Sequence, residues 1–290
     1  MSEVFTAIIG GSGVYNIEDL DNIKWSTVIS NFGNSSDLIL TGELLGNKIA
    51  FLPRHGRGHK LSPSEINYRA NIDALKKIGV TDVISVSAVG SLKENLDPGT
   101  FVIVDQFIDR TFARSKSFFT DGCVAHVSMA HPVCSRLGDH LMQGAIKSGI
   151  KAVRNGTYLV MEGPQFSTLA ESKLYQSWGC DVIGMTNMPE AKLAREAEMC
   201  YATVAMVTDY DCWHPDHENV TVDQIVKVLL ANADNAKALI TECLPSIAND
   251  HHSMDCMCKK ALTNAMITSP ESRSSEAMSR LSNIASSVIK

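Results

Sequence analysis

The sequence has no excess of positive charge and no long apolar segment. Its 26 Lys and Arg residues are outnumbered by 32 Asp and Glu residues, which gives a formal net charge of -6. Binding to the phosphate backbone of a nucleic acid depends on clustered Lys and Arg, so this balance argues against a nucleic-acid surface. The apolar runs are the length of strands, far short of the roughly 20 residues that cross a bilayer. We therefore expect a protein that binds a small molecule, with neither a nucleic acid nor a membrane as partner.

The sequence also lacks the features of a secreted protein. An acidic residue stands near the N-terminus where a signal peptide has basic ones. The eight cysteines are scattered along the chain rather than grouped in a short framework. Such a distribution favours free thiols in a reducing compartment, so we expect a cytoplasmic protein.

Short β-branched segments alternate with helical patterns, which is typical of an α/β fold. The predicted strands cover residues 4–9, 49–52, 82–87, 101–104, 158–161, 181–183 and 201–207. The predicted helices cover residues 62–79, where Ser62 and Glu65 form a capping box, and residues 135–147, 168–178 and 190–199. Gly46-Asn47 indicates a hairpin between two further strands, which adds antiparallel character. We expect a single domain with a central mixed β-sheet flanked by helices.

The pattern changes towards the C-terminus. A long helix is predicted after Thr221, and its apolar residues keep helical spacing. After Pro245 the composition shifts, and a final helix is predicted around Leu281. We therefore divide the chain into a main domain over residues 1–245 and a C-terminal tail over residues 246–290.

Small and polar residues follow several predicted strands, at the position where α/β folds bind ligands. Gly10-Gly11-Ser12-Gly13 fits neither Rossmann nor P-loop spacing, which leaves a small anion-binding turn or an ordinary turn. Arg54-His55 supplies a guanidinium that can hold two oxygens of an oxyanion and an imidazole that can donate to it without a full charge. Ser87-Ala88 and Met185-Thr186 add backbone and hydroxyl donors. Together these segments predict a phosphate site.

Asp209 and Asp211 follow the last predicted strand and, two residues apart on an extended chain, share a face. Such a pair could bind a metal, act as acid and base, or hydrogen-bond a heterocyclic base. No third hard ligand stands at a suitable spacing, so we expect no metal. In the base-binding hypothesis Asp209 is protonated and Asp211 helps to raise its pKa.

Cys256 and Cys258 lie one residue apart, close to His251-His252. Three states are possible for this segment: free thiols, a disulfide or a metal site. A disulfide across one residue closes a small, strained ring that is easily reduced, and a structural zinc requires four tetrahedral ligands. We favour free thiols.

Seven segments in order resemble the trimeric purine nucleoside phosphorylase superfamily, and within it the branch that acts on S-methyl-5'-thioadenosine. They are IIGGSG, RHGRGHKLSPSEINYRAN, SAVGSL, DQFIDRT, EGPQFST, GMTNMPE and MVTDYDCW. The resemblance runs from about residue 5 to residue 244. It implies a nucleoside phosphorylase-like fold and phosphorolysis of S-methyl-5'-thioadenosine to adenine and 5-methylthioribose 1-phosphate. It also implies a homotrimer, with inorganic phosphate as co-substrate and no cofactor.

The resemblance assigns roles to individual residues. The residues implied for phosphate are Ser12, Arg54, His55, Ala88 and Thr186. Those implied for the nucleoside are Ser87, Phe166, Met185, Asp209, Asp211, Val222 and Ile225, with His126 from a neighbouring subunit. Asp209 and Asp211 would be the catalytic pair at the purine. The tail around Leu281 would pack at the subunit interface, where the neighbouring subunit closes the site.

Few residues separate the close subfamilies. Related enzymes for 6-oxopurines usually carry Asn in place of Asp209 and Glu in place of Ser167, so the pattern here indicates a 6-aminopurine. Gly184 stands where some animal relatives have Asn, which weakens the inference about the 5' substituent of the sugar. The alternatives are a 6-oxopurine or broader adenosine phosphorylase, a nucleoside hydrolase, and a nucleoside-binding protein without activity.

Overall fold

The computed structural model describes residues 4–11, 20–215, 222–250 and 256–289, without the side chains of residues 222–227 and 229. Over these residues the chain forms eleven strands and six α-helices. The strands are β1 (Thr6–Gly10), β2 (Leu20–Ser26), β3 (Ile39–Leu44), β4 (Asn47–Pro53), β5 (Asp82–Ser91), β6 (Phe101–Val104), β7 (Gln106–Asp109), β8 (Ala152–Arg154), β9 (Thr157–Val160), β10 (Val182–Gly184) and β11 (Cys200–Asp209). The helices are α1 (Tyr68–Lys77), α2 (Ser135–Lys147), α3 (Leu169–Ser177), α4 (Asn187–Glu196), α5 (Val222–Ala248) and α6 (Ser275–Leu281).

All eleven strands belong to one branched sheet, and its centre is the long strand β5. The main path runs β2-β3-β4-β1-β5-β10-β9-β7, while β11 joins β5 to β6 and β8 pairs with β6. β1 lies parallel to both β4 and β5, and β11 lies parallel to β5. β10 pairs antiparallel with the end of β5. The expected mixed sheet between helices is confirmed.

The central strands are apolar runs because both of their faces are covered. Every residue of β1 is buried, and so is every residue of β11 except the last. This explains why the predicted strands match the observed ones closely, since a continuous β-branched run is typical of a strand buried on both faces. The hairpin of β3 and β4 is also confirmed. β2 was missed because it is a largely exposed edge strand with a polar sequence.

Helix α1 begins later than the sequence predicts. Ser62 and Glu65 make the predicted capping contact, with the backbone N–H of Ser62 donating to Glu65 Oε2 at 2.9 Å, but they close only a turn. The helix begins after Asn67, whose side chain accepts a hydrogen bond from the backbone N–H of Ala70. Thr168 and Glu171 form a reciprocal capping box at the start of α3, where a helix was predicted over residues 168–178.

The C-terminal tail packs into the core of its own chain. Leu281, Ile284 and Ala285 are fully buried in the same apolar cluster as residues of β1 and β5. The side chain of Asn283 donates to the buried Asp73 at 2.8 Å. The tail contains a helix, α6, and Leu281 is buried against its own chain. Packing of the tail at a subunit interface stays a prediction. Helix α5 also continues through Pro245 to Ala248.

A helix both long and apolar enough to cross a bilayer is absent from the described part of the chain.

We expect Leu281→Ala to lower the free energy of unfolding by about 2 to 5 kcal/mol, because truncating a fully buried Leu leaves a cavity. Ile267→Ala, in the same tail, should change it by about 0.5 kcal/mol or less. The Ile267 side chain is 62% exposed, whereas that of Leu281 is 0% exposed. Urea unfolding followed by circular dichroism measures both variants. Similar small losses in the two would mean that the tail does not belong to the core.

Candidate active site

The predicted site residues lie at the ends of neighbouring strands. The backbone N–H of Arg54, just after β4, donates to Gly10 at the end of β1 at 2.9 Å. β1 pairs with β5, which carries Ser87, and β5 pairs with β11, which ends at Asp209. The antiparallel pairing of β10 with β5 brings Thr186 beside Ser87, so that their hydroxyl oxygens are 3.2 Å apart. The fold therefore gathers the predicted anion donors and the carboxylate pair at one edge of the sheet.

Three buried hydroxyls form a cluster at this edge. The Ser87 oxygen lies 3.1 Å from the hydroxyl of Tyr158 and 3.2 Å from that of Thr186. Thr186 stands at the start of α4, but its side chain does not cap the helix, so its hydroxyl remains available to other groups. Each of these hydroxyls can rotate its proton towards an anion. Tyr158 was not predicted, because it lies inside β9 rather than after a strand.

Gly184 is required by Tyr158. A Cβ atom at position 184 would collide with the Tyr158 hydroxyl. Tyr158 reaches Gly184 because β9 and β10 run side by side, with Tyr158 opposite Val182, two residues before Gly184. The glycine at position 184, where some animal relatives have Asn, therefore has a local cause. Tyr158 fills the space that a larger side chain would take.

Arg54 is more deeply buried and more fully bonded than the sequence suggests. Its side chain is 2% exposed, and its Nε and Nη2 atoms donate to the two carboxylate oxygens of Glu190 at 2.8 and 3.1 Å. Nη2 also donates to Ser85 and Ile9, and Nη1 donates to the carbonyl of Val86 at 3.0 Å. Within the described residues this leaves one N–H of Nη1 without an acceptor. A clamp on two phosphate oxygens is therefore not available to Arg54, although a single contact is.

His55 is neutral in the free protein. Burial above all, with the charge of Arg54 adding to it, lowers the pKa of His55 to about 4. Its Nδ1 atom lies 2.8 Å from the carbonyl oxygen of Leu61 and must carry the proton, since a carbonyl only accepts. The other ring nitrogen then presents a lone pair. The neutral donor that the sequence predicts here is thus an acceptor, suited to a protonated phosphate oxygen.

Asp209 and Asp211 are held together by a turn rather than by a shared strand face. β11 ends at Asp209 after an irregularity in its pairing with β5, and Asp211 has a left-handed backbone with φ of 52°. The backbone N–H of Asp211 donates to Asp209 Oδ1 at 2.8 Å. A Cβ atom on Gly90 would come within 2.9 Å of that oxygen, which explains the glycine in β5. The pairing was predicted correctly, but its geometric reason was wrong.

Burial controls the titration of this pair. Burial raises the pKa of Asp209, and the negative charge of Asp211 raises it further, whereas hydrogen bonds from Thr208 and from the Asp211 backbone lower it. The net shift of the Asp209 pKa is upward. The pKa of Asp211 is also raised, chiefly by burial. The upward shift of the Asp209 pKa is the direction that an acid at this position requires.

Arg114, which the sequence did not indicate as a site residue, fixes the loop that carries Met185. Its Nη1 atom donates to the carbonyl of Met185 at 2.6 Å and to that of Met188 at 2.7 Å. Its Nη2 atom donates to the carbonyl of Glu162 at 2.6 Å. Arg114 lies at no strand end. Its closeness to the DQFIDRT segment is the one sequence feature that could have indicated this role.

The remaining predicted residues are less enclosed or lie outside the described part. Ala88 is half-buried in β5, Phe166 is 47% exposed in the loop before α3, and His126 is exposed. Ser12 lies outside the described residues, and so do the side chains of Val222 and Ile225. The roles of these residues stay predictions.

Comparisons with known proteins point to one family. A model of the phosphorylase superfamily matches residues 6–245. An S-methyl-5'-thioadenosine phosphorylase from Rhodospirillum rubrum is 59% identical, and the alignment covers 100% of both chains. One from Cereibacter sphaeroides is 56% identical, with 98% of each chain covered.

Solved structures agree with these sequence matches. A methylthioadenosine phosphorylase from an antarctic soil metagenomic library has a TM-score of 0.93 and 48% identity, and covers 98% of this chain and 99% of its own. A methylthioadenosine phosphorylase from Schistosoma mansoni, in complex with adenine, has a TM-score of 0.86 and 34% identity, and covers 93% of this chain and 99% of its own.

We expect Glu190→Gln to destabilise the protein by about 3 to 5 kcal/mol, because it leaves the buried charge of Arg54 without a counter-charge. Asp139→Asn provides the control. It removes the partner of Arg154 from a surface ion pair in which Asp139 is 72% exposed, and should cost about 1 kcal/mol at most. Chemical unfolding of both variants makes the comparison. Equal losses would contradict a structural role for the Arg54–Glu190 pair.

Proposed function

Because this chain belongs to the phosphorylase superfamily, we propose that it is an S-methyl-5'-thioadenosine phosphorylase. It would use phosphate to split S-methyl-5'-thioadenosine into adenine and 5-methylthioribose 1-phosphate. The full-length relatives that carry this name support the proposal. The observation that carries it in the structure is Asp209, a half-buried carboxyl of raised pKa at the same sheet edge as the Ser87 and Thr186 hydroxyls.

The phosphate side of the site would position the nucleophile. We assign phosphate to the Thr186 hydroxyl, the Ala88 backbone and the remaining Nη1 hydrogen of Arg54, with Ser12 as a further predicted contact. His55 would accept a hydrogen bond from a P–OH group through its free ring nitrogen. Another phosphate oxygen is then left to attack C1' of the sugar as the bond to the base breaks. Phosphate is the only co-substrate in this scheme, and no cofactor takes part.

The base side would supply the proton. The sugar carbon becomes positively charged as the bond breaks, and the departing adenine gains electrons. Protonated Asp209 donates to N7 so that adenine leaves as a neutral molecule, and Asp211 accepts a hydrogen bond from the 6-amino group. General acid help of this kind contributes about 10² to 10⁴ in rate.

The surroundings of Asp211 support a 6-aminopurine rather than a 6-oxopurine. The hydroxyls of Ser172 and Ser167 lie near Asp211 and lower its pKa against the effect of burial. A Glu at position 167 would place a second carboxylate there, where like charges repel. Ser167 thus leaves Asp211 free to accept from an amino group.

Assembly and location are also proposals. Large apolar side chains are exposed in the loops after β7 and β9 and on or just after α3: Phe112, Phe166, Leu169, Leu174 and Trp178. Large areas of exposed apolar surface mark contacts with other protein chains. We propose that this surface forms a homotrimer in which the exposed His126 of a neighbouring subunit completes the site. We also propose that the enzyme is cytoplasmic.

A phosphate-dependence assay tests the proposed function. Adenine release from S-methyl-5'-thioadenosine should require phosphate and should exceed base release from adenosine and from inosine. Release without phosphate would indicate a hydrolase, and preference for inosine would indicate a 6-oxopurine phosphorylase. Failure to release any base would leave a binding protein.

We expect Asp209→Asn to lower kcat on S-methyl-5'-thioadenosine by about 10² to 10⁴, because an amide cannot pass a proton to N7. In the wild type, kcat/KM should fall as pH rises through the raised pKa of Asp209, since only the protonated carboxyl donates. The variant should lack this fall. Asp234→Asn, which changes a carboxylate that is 80% exposed on α5, is the control. Wild-type turnover in the Asp209 variant would rule out the acid role.

We expect Thr186→Val to raise KM for phosphate about tenfold, because one hydrogen bond to an anion is lost while the shape is kept. KM for the nucleoside should change much less. Thr41→Val, on β3 and outside the site, is the control. Initial rates at varied phosphate give the constants. An unchanged phosphate KM in the Thr186 variant would remove Thr186 from the phosphate site.

A further inference from the structure

Four cysteines lie together at the start of β11, at the end of that strand opposite Asp209. The sulfur atoms of Cys134, Cys200, Cys256 and Cys258 all lie within 4.8 Å of one another. Three of the four side chains are buried and Cys256 is half-buried. None of them forms a disulfide. The cluster does not overlap the strand ends at which the substrate would bind.

These cysteines come from three distant parts of the chain. Cys134 immediately precedes α2, Cys200 is the first residue of β11, and the other two lie in the C-terminal tail around a 3-10 turn, Met257–Lys260. Two isolated core cysteines could meet by chance, because a buried thiol packs like a small apolar group. Four that converge from separate segments share a common centre, which simple packing does not require.

The spacing suits a tetrahedral metal ion. Zinc binds a thiolate sulfur at about 2.3 Å, so neighbouring sulfurs in a tetrahedron lie about 3.8 Å apart. The sulfurs of Cys134 and Cys256 are 3.6 Å apart. A disulfide needs a separation of about 2.0 Å and pairs the sulfurs two by two. Soft thiolates also exclude Mg²⁺ and Ca²⁺, which take oxygen ligands.

The backbone holds each segment in place before any ion binds. The N–H of Cys134 donates to the carbonyl of Tyr201 at 2.8 Å, so the first two ligand segments are tied to each other. The N–H of Cys200 donates to Thr81 at 3.0 Å, and the carbonyl of Cys256 accepts from Lys259 at 3.0 Å. Preorganised ligands of this kind are what a structural metal site requires.

Positive charge stands beside the cluster. Four thiolates around Zn²⁺ carry a net charge of -2, which needs compensation. The guanidinium of Arg136, two residues after Cys134, lies beside Cys200 and also pairs with the carboxylates of Asp82 and Asp250. Its Nε atom is buried and has no hydrogen-bond partner among the described residues. In such sites the ligand atoms commonly accept hydrogen bonds from nearby groups that do not themselves bind the metal.

We propose that Cys134, Cys200, Cys256 and Cys258 bind one Zn²⁺ ion in a structural site that fastens the C-terminal tail to the catalytic core. Binding displaces the four thiol protons and forms four Zn–S bonds. With four protein ligands the ion has no open position, so it does not act on substrate. This site contrasts with the free thiols that the sequence favours, because Cys134 and Cys200 are far from the tail in sequence. The proposal is independent of the proposed activity.

Metal analysis of the reduced full-length protein tests the site. After expression with zinc and dialysis against metal-free buffer, we expect about one equivalent of zinc per chain by mass spectrometry. Cys258→Ser should lower this to below about a tenth of an equivalent. Cys243→Ser is the matched control, since Cys243 is a buried thiol on α5 outside the cluster, and it should keep the zinc.

Replacement of zinc by Co²⁺ in the wild type keeps the test valid if the Cys258 variant fails to fold. We expect the intense visible bands and the sulfur-to-metal charge transfer of tetrahedral thiolate Co²⁺. Wild-type protein that takes up neither ion under reducing conditions would overturn the proposal. So would iron in place of zinc, or a mass and alkylation pattern that shows two disulfides among these four cysteines in freshly isolated protein.

Discussion

The buried ion pair between Arg54 and Glu190 is the contact on which the site depends. Neither charge is accessible to water, so each must be satisfied within the protein, because removing one partner leaves an uncompensated buried charge. Arg54 reaches the carbonyls of β1 and β5, and Glu190 accepts from the hydroxyls of Ser85 and Tyr201 at 2.8 and 2.9 Å. The pair therefore joins four strands to α4 and sets the spacing of the strand ends.

This pair also divides the site into two electrostatic halves. On one side, a permanently charged guanidinium beside hydroxyl donors suits an anion. Burial above all, with the charge of Arg54 adding to it, keeps His55 neutral. On the other side, Asp209 and Asp211 lie in buried surroundings that favour the protonated carboxyl. Opposite protonation behaviour in one small site is what phosphorolysis requires, since phosphate must stay anionic while the leaving base receives a proton.

The sequence predicted the contacts that follow from the order of the strands. It missed the contacts that buried side chains make with partners from distant parts of the chain. Thr186 and Asp209 lie close to the ends of β10 and β11, and they were predicted as site residues because α/β folds bind ligands at strand ends. The bonds of Arg54 were misjudged, because nothing local to Arg54 shows that a carboxylate from α4 lies beneath it. Tyr158 and Arg114 were missed for a similar reason: their partners are backbone or hydroxyl groups far away in the chain. The capping signal at Ser62 did not mark a helix start, because a turn makes the same hydrogen bond from the Ser62 N–H to the Glu65 carboxylate.

Helix α4 connects the site to the tail. Its beginning carries Thr186, its body carries Glu190, and just beyond its end Glu198 accepts hydrogen bonds from Leu262 and Ser287 in the tail. The next strand, β11, begins at a cysteine of the four-thiol cluster and ends at Asp209. A displacement of the tail would therefore reach the site along α4 and β11. Packing the tail into its own core thus supports the elements that carry the proposed phosphate donors and the proposed acid.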